Sequence, residues 1–407
     1  MVLILLVLLS TTFLLGWFGI EDLSEALTFM GRLTGAVLIL VSATTLLSAL
    51  AVVDHSFWNS FPYSGMVALI GTIAAFLTNA MLLFETVKSG DSVFYPVLLG
   101  LLMAGSAWAV FAVWRTSVVI PAPKRVAAAV VVSSVFAIAN FGYQNLYQPY
   151  QRTARPLINL TVGKPMLSQD RKAFAVPVDI TLENHADVGF YVLGAEFHAM
   201  GEQVPLSSSD RLREQWRADA KRWSKFQEKN PLSRREIHQP GELVAAQPWM
   251  SPGFWIDASD AFATRTVVQL PMDTPYDQLA FYATASFARK DRIGLDSLSP
   301  QGNSWEVGQA PQGLKAKKKA DFDSLIYRGR VRENNAIDQR TMDPRVITVY
   351  WKFGPQGAAV VPTITRRGEE DHTPSEAESR ELVNRYGLVD AVTGPMERTL
   401  WDLKNQR

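Results

Sequence analysis

Leu33–Val53 reads LTGAVLILVSATTLLSALAVV, 21 residues without one Asp, Glu, Lys or Arg. At a rise of about 1.5 Å per residue, such a helix is as long as the roughly 30 Å hydrocarbon layer of a bilayer is thick. Four other stretches share this character: Val2–Ile20, Met66–Phe84, Phe94–Trp114 and Val126–Tyr143. Of the 79 charged residues, eleven fall within residues 1–140 and 68 in the remainder. Two compositions imply two solvents. The expected fold is a membrane bundle of about five transmembrane helices over residues 1–145, followed by a soluble, mainly β domain.

The first stretch has no basic segment before it, and its apolar run continues through Phe18 to Ile20 with no small-residue cleavage site. It therefore reads as a retained helix and not as a cleaved signal peptide. Phe57, Trp58, Phe61 and Tyr63 suit a headgroup layer, as do Tyr143, Tyr147 and Tyr150 beyond the fifth stretch. Gly31 and Gly35, Gly71 and Ala75, and Gly100 and Ala104 place small residues four apart, a spacing that lets helices approach closely. Ser42, Thr44, Thr45, Asn79, Ser133, Ser134 and Asn140 are expected to hydrogen-bond neighbouring helices. No ionisable residue lies at mid-span, and Asp54, His55 and Glu85 sit only at span ends, which argues against a proton or ion path.

Five spans, with Arg115, Lys124 and Arg125 in one connection, place that loop in the cytoplasm and the large domain outside. Arg152 and Arg155 oppose this assignment. A bacterial plasma membrane is the expected location.

Beyond Pro156 the period changes to two. Phe174, Val176, Val178, Ile180 and Leu182 alternate with more polar neighbours, and turn residues Asn184–Asp187 precede a second run, Val188–Phe197. Pro177 lacks a ladder donor, so an edge position or a bulge is expected there. Further strands are expected at Leu157–Val162, Thr264–Leu270, Gln278–Phe287, Ile326–Arg332 and Val346–Phe353, together making a two-sheet sandwich over residues 146–370. Residues 371–407 read as helical. Thr373, Pro374 and Glu376 open one helix, Tyr386-Gly387 closes it, and a short last helix is expected at Met396–Lys404.

Within the β domain, residues 208–230 read as an amphipathic helical insertion. Trp216 and Trp223 share a face with Leu212 and Phe226, and basic residues including Arg217 and Lys221 surround them. Together with the cluster Lys317, Lys318 and Lys319, these residues are the candidate contact for a membrane surface or a partner. The alternative is a stripe packed on the sandwich with solvated charge.

Catalytic chemistry finds little support. The chain has no cysteine, which excludes disulfides, thiolate metal sites and cysteine nucleophiles. The five histidines fall in no zinc-binding pattern, and no phosphate-binding loop, dinucleotide fingerprint or nucleophile elbow is present. Glu196 and His198 would share one strand face, either as part of a ligand set or as an exposed strand surface. Asp257 and Asp260, near Trp249, Phe254 and Trp255, resemble in type the carboxylates and aromatics of carbohydrate sites. A net charge of +1 gives nucleic acid no footprint, and no cofactor is expected.

The function expected is that of a non-enzymatic multi-pass membrane protein, presenting its β-rich domain to a protein partner, a second copy of itself or a surface ligand. The alternatives are a subunit of a channel or transporter, or a membrane-bound enzyme acting on lipid-linked or polymeric carbohydrate.

Overall fold

The structure, a computed structural model, describes residues 1–58, 60–116, 154–203, 213–214, 217, 241–305, 322–355, 357–370, 372 and 375–401. Its first part holds four helices long and apolar enough to cross a membrane: α1 (Val2–Glu25), α2 (Phe29–Val53), α3 (Ser64–Ser89) and α4 (Phe94–Thr116). Thr28 starts α2 by accepting a hydrogen bond from Gly31 N at 3.0 Å, and α2 ends in a π-helical turn, Asp54–Trp58. The fifth expected helix, Val126–Tyr143, lies outside the described residues.

Short connections make sequential helices antiparallel. α1 and α2 approach closely at Gly35, where a Cβ would stand 2.7 Å from Gly19 O, and α2 and α3 do so at Gly71, which lies against Ser48. Among the described residues a Cβ at Gly100 would meet nothing within 4 Å, so two of the three expected small-residue pairs serve packing between described helices. The bundle reverses the polarity of a soluble one. Phe13, Leu40 and Phe111 point outward and exposed, whereas Thr11, Thr45, Ser48, Thr72, Asn79 and Ser106 are buried. The buried groups bond across helices: Ser42 to Thr12 O at 2.8 Å, Ser48 to Ala68 O at 2.9 Å, and Asn79 Nδ2 to Thr11 and Ser106, both at 3.0 Å.

The second part is mainly β, with antiparallel sheets. The first sheet is built on β3 (Ala173–Glu183), which pairs with β1 (Leu157–Val162), β2 (Met166–Leu167) and β7 (Ala261–Pro271). The second runs β14 (Val389–Thr399), β8 (Gln278–Arg289), β4 (Phe190–Glu202), β5 (Glu242–Met250), with β6 (Trp255–Ile256) added to β4. The third runs β10 (Ser299–Asn303), β11 (Asp323–Arg332), β12 (Arg345–Gly354), β13 (Gly357–Arg366), with β9 (Gly294–Leu295) on β11. Among the described residues the β domain also holds the helices α5 (Ala336–Thr341) and α6 (Glu376–Tyr386).

The alternating residues of β3 pack on Phe190, Val192, Phe197, Phe281 and Phe287 of the second sheet. The far face of that sheet carries Leu193 and Ala288 against Ile347, Val349 and Ile364 of the third. The sequence suggests two layers and the structure has three, because β4 is buried on both faces. Its near-continuous run FYVLGAEFHAMG follows the pattern of a central strand.

Three further expectations are corrected. Pro177 lies neither at an edge nor in a bulge. Its missing donor falls in the gap where β1 has ended and β2 has not begun, and Gly163 N there bonds Pro177 O at 2.8 Å. The short helix expected from Met396 does not begin there: Val389–Thr399 form the edge strand β14 along β8, with Gly394 and Pro395 inside it opposing helical backbone, and residues 402–404 of that expectation lie outside the described residues. The cap of α6 is also two residues later than expected, a capping box between Ser375 and Glu378, and Gly387 at φ 61° closes the helix.

Candidate functional site: the junction between helices and β domain

α1 and α3 end, and α2 and α4 begin, at one end of the bundle, and the β domain is docked there. The docking element is α5. Asn335 caps it by accepting from Asp338 N at 2.7 Å, and the cap points Ala336 and Ile337 into the bundle. Both side chains are buried in one cluster with Leu15, Phe18, Leu38, Leu82 and Leu99. Burying an isoleucine contributes about 1.5–3 kcal/mol.

Polar contacts surround this apolar wedge. Ala336 N donates to the buried Asp22 at 2.6 Å. Arg340 meets Glu21 through two hydrogen bonds, 2.9 and 3.1 Å, and its guanidinium lies 5.3 Å from the Trp17 ring centroid. Thr341 O accepts from both Asp91 N and Ser92 N at 2.9 Å, stitching α5 to the α3–α4 turn. The Asp91 carboxylate accepts from Arg366 at 2.6 Å and from Asp343 N at 3.1 Å, and lies 3.5 Å from Arg345. Acidic groups from the helices thus face basic groups from the β domain, and paired Arg–carboxylate forks fix orientation as well as distance.

Behind the wedge, Arg385 of α6 lies 3.3 Å from Asp338 and 3.7 Å from Glu333, and the Tyr386 hydroxyl donates to Glu333 at 2.7 Å. Burial pushes the carboxyls of Asp338 and Glu333 above the usual carboxylate range, with Arg385 opposing that shift in both. Burial likewise raises the Tyr386 phenol. A cavity of about 210 Å³ remains between the last turn of α1 (Glu21, Asp22, Glu25) and the turn from β11 into α5 (Arg332–Ala336).

The residues expected to form a surface contact lie mostly outside the described set: Trp216, Trp223, Lys221, Lys317, Lys318 and Lys319. Arg217 is described, helical and exposed. Glu196 and His198 do share a face and touch, Nδ1 to Oε1 at 2.8 Å. They are buried beneath the third sheet and not on an exposed surface, with Thr284 donating to Glu196 at 3.0 Å and Tyr282 stacked on the imidazole at 4.7 Å. The Asp257 group is not assembled as one site. Trp249 is buried in the core, its indole N–H donating to Glu196 O at 3.0 Å. Asp260 bonds Ala261 N, and Asp257 pairs with Lys290 at 2.9 Å. Among the described residues no cluster of three or more metal-ligating side chains occurs. Asp54 caps Ser60 and Phe61 at the far end of the bundle.

The sequence reading missed α5 and the residues it meets. One signal was present: the helices bring Glu21, Asp22 and Asp91 to one end, while Arg340, Arg345 and Arg366 cluster in the β domain.

Architecture and junction together define an apolar helical bundle bearing a three-layered β domain. No known protein family matches the chain, and no curated protein matches it. Solved structures overlap it weakly. A Northeast Structural Genomics Consortium target, SoR45, covers 34% of this chain and 74% of its own at 7% identity and a TM-score of 0.19. Spo0M, a sporulation control protein from Bacillus subtilis, covers 59% of this chain and 90% of its own at 8% identity and a TM-score of 0.20.

Proposed function

We propose that the chain is a five-span integral protein of a bacterial plasma membrane that holds its β domain in a fixed pose at the membrane surface, to bind a protein partner, a second copy or a surface ligand. The observation that carries this reading is the junction. A wedge buried among helix ends and flanked by Asp22, Glu21 and Asp91 contacts is what a fixed mount needs and a loosely tethered domain lacks. The outward apolar and inward polar faces of the bundle support insertion in lipid.

The geometry at the two ends of the described segments supports the fifth span of this reading. α4 ends at Thr116, on the opposite end of the bundle from the junction, yet the β domain starts at Ala154 and docks at the junction end. One more crossing would join these two faces, and the sequence Val126–Tyr143, outside the described residues, is of suitable length and composition for it. Arg115, Lys124 and Arg125 place the far end in the cytoplasm and the β domain outside.

The test uses single cysteines at Ser24, Ser60 and Ser297, exposed positions at the junction end, the far end and the β domain. In intact cells an impermeant maleimide labels Ser24→Cys and Ser297→Cys and spares Ser60→Cys. Labelling of Ser297→Cys together with Ser60→Cys removes the fifth crossing, and labelling of Ser60→Cys alone inverts the orientation. The channel alternative is tested by ion flux from purified protein in liposomes. The carbohydrate-enzyme alternative is tested by Asp257→Asn and Asp260→Asn.

A further inference from the structure

The end of the β domain beside the junction carries a ledge of exposed aromatic side chains. Phe254 and Trp255 are 53% and 52% exposed, and their rings stack with centroids 5.9 Å apart. Half-exposed pairs of this size need a reason, because apolar rings held in water cost free energy that a short loop could avoid by folding them inward. Here the loop holds them out. Trp255 pairs with Tyr191 in the second sheet, Lys290 Nζ lies 5.2 Å from the Trp255 ring and 5.8 Å from Tyr191, and Asp257 fixes that ammonium at 2.9 Å.

The topology fixes which way this ledge faces. β8 runs toward the bundle: it ends at Arg289, and five residues on, a Cβ at Gly294 would meet Leu27 of the α1–α2 turn at 3.1 Å. Lys290 N bonds Gly189 O at 2.9 Å, so the start of β4 and the paired β6 lie at this same end. β3 ends there too, since Asn184 Nδ2 donates to both Val188 O and Asp257 O at 2.8 Å. β1 begins there, with Leu157 opposite Glu183 and 50% exposed. The ledge is therefore continuous with the face that meets the helix ends.

We propose that Phe254 and Trp255, with Leu157 beside the chain's entry into the domain, dip into the headgroup layer of the bilayer and hold the β domain against the membrane surface. This rests on the reading of α1–α4 as membrane helices. Amphipathic aromatics on a short loop suit that layer, where rings meet the upper acyl chains and indole N–H groups meet headgroups. The carboxylate and aromatic side chains that resemble a sugar site in sequence are then an anchor, with Asp257 and Lys290 setting the ring angle.

The absence of native cysteine gives the test. Full-length protein carrying a small fluorophore at Phe254→Cys or Leu157→Cys is reconstituted in phosphatidylcholine vesicles containing headgroup-nitroxide lipid. Met166→Cys, exposed toward the opposite end of β3, is the distal control, and Phe13→Cys on the outer face of α1 is the bundle control, read with acyl-chain nitroxide. The expected result is headgroup quenching at both ledge positions several-fold above that at Met166→Cys, with reduced quenching by aqueous iodide. Ledge probes quenched no more than Met166→Cys overturn the proposal while a quenched Phe13→Cys keeps the membrane reading. Protection from iodide without nitroxide quenching means a protein covers the ledge and also overturns it. An unquenched Phe13→Cys removes the membrane reading and the proposal with it.

Discussion

Ile337→Ala tests the junction most directly. Ile337 is 7% exposed and packs among Leu15, Phe18, Leu38, Leu82 and Leu99, so truncation loses the transfer free energy of the deleted carbons and leaves a cavity that helix ends tied at Asp22 and Asp91 cannot readily close. Such a deletion costs about 2–4 kcal/mol. The probe is Thr341→Cys. Thr341 is 1% exposed and its hydroxyl has no hydrogen-bond partner among the described residues, so a thiol replaces it with little loss, while the backbone carbonyl that accepts from Asp91 and Ser92 is kept. It becomes the sole thiol in the chain. A thiol so enclosed reacts with maleimide through opening of the junction, and the labelling rate follows the open population. Ile337→Ala should then speed labelling of Thr341→Cys by roughly 30- to 700-fold, at about 1.4 kcal/mol per factor of ten, and leave an exposed Ser297→Cys control unaffected. An unchanged rate at Thr341→Cys refutes the assignment of Ile337 as the wedge that closes the junction.

The charged contacts give smaller effects. Glu21→Arg should accelerate the same labelling and the double swap Glu21→Arg with Arg340→Glu should restore most of it, with a coupling of about 0.5–1 kcal/mol because Arg340 is 39% exposed. Asp338 and Glu333 have carboxyl pKa values raised by burial in the docked state, so docking binds protons, is strengthened as pH falls through those raised values and is weakened as pH rises through them. Labelling of Thr341→Cys, divided by that of Ser297→Cys to remove thiol ionisation, should fall as the pH is lowered, and Asp338→Asn with Glu333→Gln should flatten the profile. In the bundle, Gly35→Val should destabilise the α1–α2 contact and lower the thermal midpoint in detergent, whereas Gly100→Ala should leave it unchanged, since among the described residues a Cβ meets nothing within 4 Å at Gly100 and backbone at 2.6–2.7 Å at Gly35.

What the sequence made legible, and what it hid, divides along one physical line. The four described helices and β1, β3, β7, β8, β11 and β12 were readable because each buries one face against many neighbours, and a single period, or the plain absence of charge, records that burial along the chain. β5, β13 and β14 were missed. β5 (ELVAAQPWM) and β14 (VDAVTGPMERT) are edge strands with Pro or Gly inside, and β13 (GAAVVPTITR) carries Pro362 at the outer edge of the third sheet, so none displays a clean alternation.

The junction was hidden for a different reason. Its members, Glu21, Asp22, Asp91, Ile337, Arg340 and Arg366, come from four separate stretches whose partners lie up to 319 residues away, and local periodicity carries no information about such pairing. α5, only six residues long, gives no periodic signal of its own. The complementary charge was visible, yet a carboxylate at a span end reads equally well as a group reaching water. Distinguishing the two requires knowing that the β domain returns to that end, and this is a property of the chain's route across the bundle, not of any segment. The same route turns the Phe254 and Trp255 pair from a carbohydrate-like motif into a surface facing the membrane: residue types proposed one chemistry, and the direction in which β8 runs proposes another.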